Sequence, residues 1–263
     1  MTVLRKTYKA SGHHKRWEAV YRLDPYQKKL NEAMMKRLMR YLNLSTDSLF
    51  LDAGCGTGEH SLRIGQKGFR CVGIDLSEYV LQKASARVAA SHLQTRIAVS
   101  LAALEAIPFK DNTFDAIHCR GVLMHIPEWK TALSQLCRVL RTGGRIAIME
   151  SNDRSLESSI VLGMRKVLRT KSRLIKTDGG LEFWSEEGGN PFLVRVANIK
   201  SLRNELLAQN VRIIKIFATE FWDINRFPSG LLRKSAVFFN QLYFHINRLH
   251  GLSSGNLIIG EKV

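Results

Sequence analysis

The sequence predicts an α/β fold, a doubly wound, mostly parallel seven-stranded sheet with helical cap insertions. Three observations carry this. From residue 48 onward, short apolar runs alternate with helical patterns, as in parallel strands joined by right-handed crossovers. A glycine cluster, Gly54-Cys55-Gly56-Thr57-Gly58, follows the first run, where a strand would pass into a helix N-terminus. An acid, Asp75, closes the second run. In such sheets a ligand sits beyond the carboxyl ends of the strands, so both features fall on the ligand side.

The elements follow in order. Residues 1–25 are polar, basic and aromatic (Tyr8, Trp17, Tyr21), and Asp24-Pro25 marks a boundary. Residues 26–43 read as a helix, with Leu30, Met34, Leu38 and Leu42 on one stripe. Strands are predicted at 48–53, 70–75, 95–100, 113–119 and 145–150. A short helix leaves the glycine loop and ends near 65–68. Ser77 is placed to cap the next helix, whose buried face is Val80, Leu81, Ala84 and Val88. Pro127 starts a third helix, with Leu133, Leu136, Val139 and Leu140 inward, and Thr142-Gly143-Gly144 stops it.

Beyond residue 150 the regularity weakens. A helical stretch, 156–168, precedes a Gly/Glu-rich loop around Gly179-Gly180 and Glu186-Glu187-Gly188-Gly189. Asn198 caps a helix reaching 208, strands follow at 211–217 and 255–261, and an aromatic-rich helix covers 230–249. Leu232, Ala236, Phe239, Tyr243 and Ile246 form its stripe, suited to a core, a substrate cavity or a homodimer contact. The chain thus divides into an N-terminal helical lid (1–47), a ligand-binding core (48–150) and the rest of the sheet (151–263). Insertions at 151–197 and 219–254 would lie over the ligand face.

Bulk properties bound the function. With 263 residues and 45% apolar content, the chain can build one large core. Nothing resembles a secretory leader or a membrane span, so a cytoplasmic protein is expected. Cys55, Cys71, Cys119 and Cys137 show no paired spacing and read as reduced, buried thiols; no metal centre is expected. The net charge of +17 is uneven: residues 1–47 carry 11 basic and 4 acidic side chains, 48–150 carry 12 and 9, and 151–263 carry 17 and 10. Basic flanks suit an anionic acceptor, nucleic acid or a membrane surface, and equally a solvated lysine-rich face.

The motifs narrow the ligand. A dinucleotide loop reads G-x-G-x-x-G, whereas here the spacing is Gly54-x-Gly56-x-Gly58 with Glu59 next, an acid that would repel a pyrophosphate. Asp75, 21 residues after Gly54, can accept two hydrogen bonds from a ribose diol; the alternative is a local helix cap. Leu51-Asp52-Ala53-Gly54-Cys55-Gly56-Thr57-Gly58 resembles motif I of the class I S-adenosylmethionine (SAM, S-adenosyl-L-methionine) methyltransferases. Gly73-Ile74-Asp75-Leu76-Ser77 resembles their acidic motif, and 107–115, Val122-Leu123-Met124-His125-Ile126 and 140–145 are similar to the type 11 small-molecule group. The resemblance covers 48–150 and implies the Rossmann-like methyltransferase fold.

It also implies roles. Gly54, Cys55, Gly56 and Gly58 would lie against the methionine part of SAM. Asp52, with main-chain groups of Arg120 and Gly121, would hold its ammonium. Asp75 would take the ribose, Leu76 would cover the adenine, and Ala103 and Leu104 would edge it. Ala102-Ala103 stands where many relatives carry an aspartate, so adenine recognition would rely on backbone groups. A catalytic base is expected at His125, which follows strand 4 and titrates near neutral pH; Glu150 and Asp153 are further candidates. The expected reaction is methyl transfer to O or N of a small-molecule or lipid-like acceptor. The alternatives are an RNA methyltransferase, an NAD-dependent oxidoreductase and an inactive SAM-binding scaffold. Nucleic acid is the lesser candidate, since neither an Asn-Pro-Pro-Tyr-type motif nor an RNA-binding module is present.

Overall fold

The computed structural model describes residues 24–168, 173–187, 189–227, 230–246 and 250–263. The aromatic lid expected of Tyr8, Trp17 and Tyr21 lies outside these residues. In chain order the elements are α1 (Pro25–Tyr41), β1 (Leu49–Ala53), α2 (Glu59–Gln66), β2 (Arg70–Asp75), α3 (Glu78–Ala90), β3 (Ile97–Leu101) and β4 (Phe114–Arg120). A 3₁₀ turn (Leu123–His125), α4 (Trp129–Val139), β5 (Leu140–Ser151) and α5 (Leu156–Leu168) follow. The last third holds β6 (Arg173–Thr177), β7 (Gly180–Glu187), β8 (Asn190–Ala197), α6 (Ile199–Ala208), β9 (Val211–Ala218), α7 (Leu231–Ile246) and β10 (Gly255–Lys262).

Seven strands form one sheet in the order β3-β2-β1-β4-β5-β10-β9. The β3–β5 half is parallel, and β10 runs antiparallel to both its neighbours. The pleat sends successive side chains to opposite faces. Leu51, Ile74, Ile117 and Ile146 therefore pack against Leu133 and Leu136 of α4, while Phe50, Cys71, Ala147 and Ile259 pack against Leu30, Met34 and Leu38 of α1. The stripe expected on α1 is buried. So are two polar residues on the same face, Gln27 and Asn31, which point past the sheet edge. Asp24 caps this helix, accepting from the N–H groups of Tyr26 and Gln27 at 3.0 and 3.1 Å. All four cysteines are buried, and none forms a disulfide with another described residue. Among the described residues no helix is long and apolar enough to cross a membrane.

Three local expectations are corrected. First, β5 starts at Leu140, because Thr142-Gly143-Gly144 does not end a helix in a loop. Phe114 pairs with Leu140 and Ala116 with Arg145, so 141–144 bulge out of the strand pair. Second, residues 173–197 are not a helix-to-loop cap but a three-stranded antiparallel sheet, β6-β7-β8. Thr177 pairs with Gly180, leaving Asp178-Gly179 as a two-residue turn, and Glu187 pairs with Asn190. Asp-Gly is a strong hairpin turn, so glycine that suggested a loop closes the first hairpin. Third, of the stripe expected on α7, Ala236 and Tyr243 are buried but Leu232 and Phe239 are 64% and 42% exposed, and Asn240 and Phe244 complete the buried face instead. Asn240 turns the helix: its Oδ1 accepts from Phe221 and Trp222 N–H at 3.1 and 3.0 Å, and its Nδ2 donates to Trp222 O at 2.8 Å.

The small sheet is docked by one buried cation. Arg195 on β8 is 2% exposed. It donates to Glu182 Oε1 (2.8 Å), Leu123 O (3.0 Å), Ile126 O (2.8 Å) and Pro127 O (3.2 Å), joining β7 and β8 to the turn after β4. Removing one member of a buried ion pair leaves the other charge uncompensated, at a cost of about 3–5 kcal/mol. Arg195→Met should therefore lower the urea-unfolding free energy by about that amount, and adding Glu182→Leu should recover part of it. Equal stability of Arg195→Met and the parent would show that the small sheet is held by other contacts.

Candidate functional site

Beyond the carboxyl ends of β1, β4, β5 and β9 lies a cavity of about 510 Å³, a size suited to small ligands. One end is the glycine loop. Gly54 and Cys55 N–H both donate to Ile74 O, at 2.8 and 2.9 Å, which folds the loop back over β2. Gly54 has φ +71°, and a Cβ there would come within 2.3 Å of Val122 Cγ2, so only glycine fits. Asp75 staples the loop to the start of α3. Its Oδ2 accepts from Gly56 N–H at 2.9 Å and its Oδ1 from Ser77 N–H at 3.0 Å. Ser77 occupies the N-cap position as expected, but its own hydroxyl makes no capping bond.

Below the loop, buried Asp52 accepts from Ser61 Oγ at 2.6 Å and lies 3.1 Å from His118 Nδ1. The His118 and His60 rings are 4.8 Å apart. Arg120 turns its guanidinium toward α1, donating to Asn31 Oδ1 and to His60 Nε2, the latter at 3.2 Å.

The other end is built by the late elements. β8 alternates, sending Leu193, Arg195 and Ala197 inward and Phe192, Val194 and Val196 to the cavity. His125 Nδ1 lies 2.9 Å from Leu193 O, and its ring faces Phe192 at 5.7 Å. A carbonyl only accepts, so Nδ1 carries the hydrogen and the neutral ring keeps its lone pair on Nε2. Glu150, at the end of β5, accepts from Leu123 N–H at 3.0 Å. Burial pushes its carboxyl up to about 8, against the opposing pull of the turn's N–H groups and Arg195. Glu220 accepts from Gln27 Nε2 at 3.1 Å; burial and the nearby Asp223 raise it to about 7, with Arg120 opposing. Burial also raises Asp153 and Glu157.

Of the residues singled out in the sequence, Asp52, Gly54, Cys55, Arg120, Gly121 and His125 line this cavity. Gly56, Gly58, Asp75, Leu76, Ala103 and Leu104 stand apart from it. Leu104 packs in the core, and Ala102 N–H donates to Asp75 O at 3.0 Å, which keeps 102–104 beside the acid. The sequence reading passed over Gln27, Asn31, His60, His118, Phe192, Thr219, Glu220 and Arg195. A signal existed for the first two: 27, 31, 34 and 38 share one helical face, so two amides extend an apolar stripe. Arg195 and Phe192 were hidden because 173–197 was not read as strands.

The residues present fit a SAM-like ligand. The loop is a cradle that a Cβ at Gly54 would fill, and an acid stands at the end of each of β1 and β2, where an ammonium and a ribose would be held. Comparison with known proteins agrees. Residues 51–148 match the family model described as "Methyltransferase domain". Methyltransferase GfsG of Streptomyces halstedii is 30% identical over 149 residues, 56% of this chain and 53% of that protein. The ubiquinone/menaquinone biosynthesis C-methyltransferase UbiE of Geobacter sulfurreducens is 32% identical over 118 residues, 44% of this chain and 46% of that protein. The chain thus spans about half the length of these relatives. In fold it resembles geranyl diphosphate C-methyltransferase from Streptomyces coelicolor A3(2), with a TM-score of 0.62 at 15% identity, over 97% of this chain and 85% of that one.

The raised Glu150 carboxyl has a consequence for stability. Its folded value, about 8, lies above the ordinary carboxylate range, so between about pH 5 and 8 the unfolded chain is ionised while the folded chain keeps its proton. Stability should fall through that window by up to about 1.4 kcal/mol per pH unit, and Glu150→Gln should flatten the slope. Denaturant titrations at several pH values check this; an unchanged slope in the variant would assign the effect elsewhere.

Proposed function

Residues 51–148 are a class I SAM-dependent methyltransferase domain, and from that premise we propose that the chain transfers a methyl group to an O or N atom of a small-molecule or lipid-like acceptor. The observation that carries this reading is the single cavity that joins the glycine loop to an apolar wall and an oriented histidine. SAM supplies an electrophilic methyl group when bound. Gly54, Cys55, Gly56 and Gly58 would cradle its methionine part, and Asp52 with the main chain of Arg120 and Gly121 would hold the ammonium. Asp75 would take the ribose, and Leu76, Ala103 and Leu104 the adenine.

The chain's own part is positioning, desolvation and proton transfer. The β8 wall excludes water from the acceptor and seats its apolar part on Phe192, Val194 and Val196. His125, held by Leu193 O, would take the acceptor's proton at Nε2. The partly apolar recess favours a metabolite over RNA, because a polyanion would meet the carboxyls of Glu150, Glu157 and Glu220. A second reading, transfer to carbon, is favoured by the relative named as a C-methyltransferase.

Asp75→Ala should weaken SAM binding in calorimetry by about tenfold or more, the loss of charge-assisted bonds to the ribose. Unchanged affinity would move the cofactor away from β2. Transfer of labelled methyl from SAM to extracted metabolites identifies the acceptor. With it, His125→Ala should slow turnover by about 10²–10⁴-fold while SAM affinity holds. A rate equal to the parent's at every pH would remove His125 as the base.

A further inference from the structure

The acceptor end of the cavity is rich in carboxyl groups, although the chain is basic. It is lined by Glu150, Glu157, Glu220 and Asp223 in a protein of net charge +17. Glu157 and Asp223 are compensated: Arg226 Nε lies 2.7 Å from Glu157 Oε1 and 3.8 Å from Asp223 Oδ2. Glu150 and Glu220 differ, since neither has an ion-pair partner within 4.0 Å among the described residues.

Of the buried atoms here without a hydrogen-bond partner, which include Glu157 Oε1 and Asn256 Nδ2, two acceptors have no ion-pair contact either. Glu150, 3% exposed, spends one oxygen on the turn's N–H group, while Oε2 is buried without a hydrogen-bond partner. Thr219, fully buried at the end of β9, likewise has an unpartnered Oγ1. These atoms come from β5 and from the end of β9, the strands on either side of β10. Glu150 lies opposite Asn256 of β10, and Gly255 O accepts from Thr219 N–H at 3.0 Å. A Cβ on Gly255 would fall 2.4 Å from Thr219 Oγ1, so glycine leaves that hydroxyl its room. Buried polar atoms are normally satisfied, and a pair left open along a cavity marks where a ligand's polar group goes.

We infer that the methyl acceptor is an amine on an apolar body, its nitrogen at the end of the cavity that Glu150, Glu220 and Thr219 line and its body against Phe192 and Val194. This rests on the methyltransferase reading and names its substrate class. An ammonium offers three donors and a positive charge, whereas an alcohol offers one donor and none, and a carboxylate would be repelled. The high carboxyl values of Glu150 and Glu220 agree, because burial without a counter-cation suppresses their ionisation. The charged groups around them are Arg195 from β8 at Glu150, and Arg120, Asp223 and Glu157 at Glu220. An arriving ammonium would favour both ionised forms, so its binding near neutral pH releases protons from these carboxyls to the buffer. For transfer the ammonium would give one N–H proton back to a carboxylate. The freed lone pair would form the N–C bond as the methyl's C–S bond breaks, the electron pair leaving on the sulfur of S-adenosylhomocysteine.

The test uses hexylamine, hexanol and hexanoate as matched probes, titrated calorimetrically into the full chain saturated with S-adenosylhomocysteine. Hexylamine should bind about tenfold or more tightly than either of the others, the equivalent of one charge-assisted hydrogen bond. Its heat should vary with buffer ionisation enthalpy in the sense of proton release. Glu150→Gln and Glu220→Gln, nearly isosteric changes, should each erode the preference for hexylamine while leaving hexanol binding unchanged. Hexanol or hexanoate binding as tightly as hexylamine would overturn the inference, as would a preference that survives in the double variant. If S-adenosylhomocysteine itself fails to bind, the methyltransferase reading fails. The same probe order measured on the chain alone then still decides whether the cavity takes an amine.

Discussion

The structure depends on a guanidinium that never reaches solvent. Arg195 sits on a strand of the small sheet, yet three of its acceptors are carbonyls of the segment that follows β4. Those carbonyls belong to a 3₁₀ turn and a proline, which lack the full backbone pairing of a helix and so need outside donors. One planar cation supplies them with several N–H groups in a fixed fork, which a lysine could not do. The Glu182 carboxylate makes its burial tolerable. The consequence reaches the site: the same turn carries His125, whose ring is fixed by the next residue but one along β8, Leu193. The docking of the sheet and the orientation of the histidine are thus one event.

The electrostatics of the protein are layered. A strongly basic exterior draws anions by long-range attraction that salt screens over about 10 Å. The cavity works at shorter range and with the opposite sign. It holds buried carboxyls whose charge is costly there unless a cation joins them. Net charge and cavity chemistry therefore carry separate information: the basic flanks suit an anionic acceptor, nucleic acid, a membrane surface or a solvated face alike, while the cavity is lined with carboxyls. The positive surface acts on encounter with larger bodies, while the pocket selects what enters.

The sheet half from β1 to β5 was legible because its signals are local. Asp24-Pro25, the apolar runs and the loop from Gly54 to Gly58 each dictate their own conformation within a few residues. The loop side of the site was legible for the same reason. The acceptor side was not. Arg195 looks like any other basic residue, and its role arises only when β8 lies against the turn at 123–127. Glu220 and Thr219 end an outer strand that reaches Glu150 only across β10, which lies at the far end of the sequence. Asn240 carries no local signal either, since its amide acts on the backbone of Phe221 and Trp222, 19 and 18 residues earlier in the chain. Asp178-Gly179 was readable but was weighed as loop composition and not as a turn.

The small sheet also enters and leaves the main fold at one place. Asn152, just past β5, forms a bridge with Ala197, and Asp153 N–H donates to Ala197 O at 2.9 Å. The described residues between them rise from that closed stem and meet the main fold again through Arg195, at 123–127, and Glu157, at Asp223 and Arg226. A segment with that geometry is a replaceable cassette. Its hairpins can change length or lining without moving the strands that frame the donor side. The chemistry on one wall of the cavity is then free to diverge at a different pace from that on the other, with Arg195 as the latch any replacement has to keep.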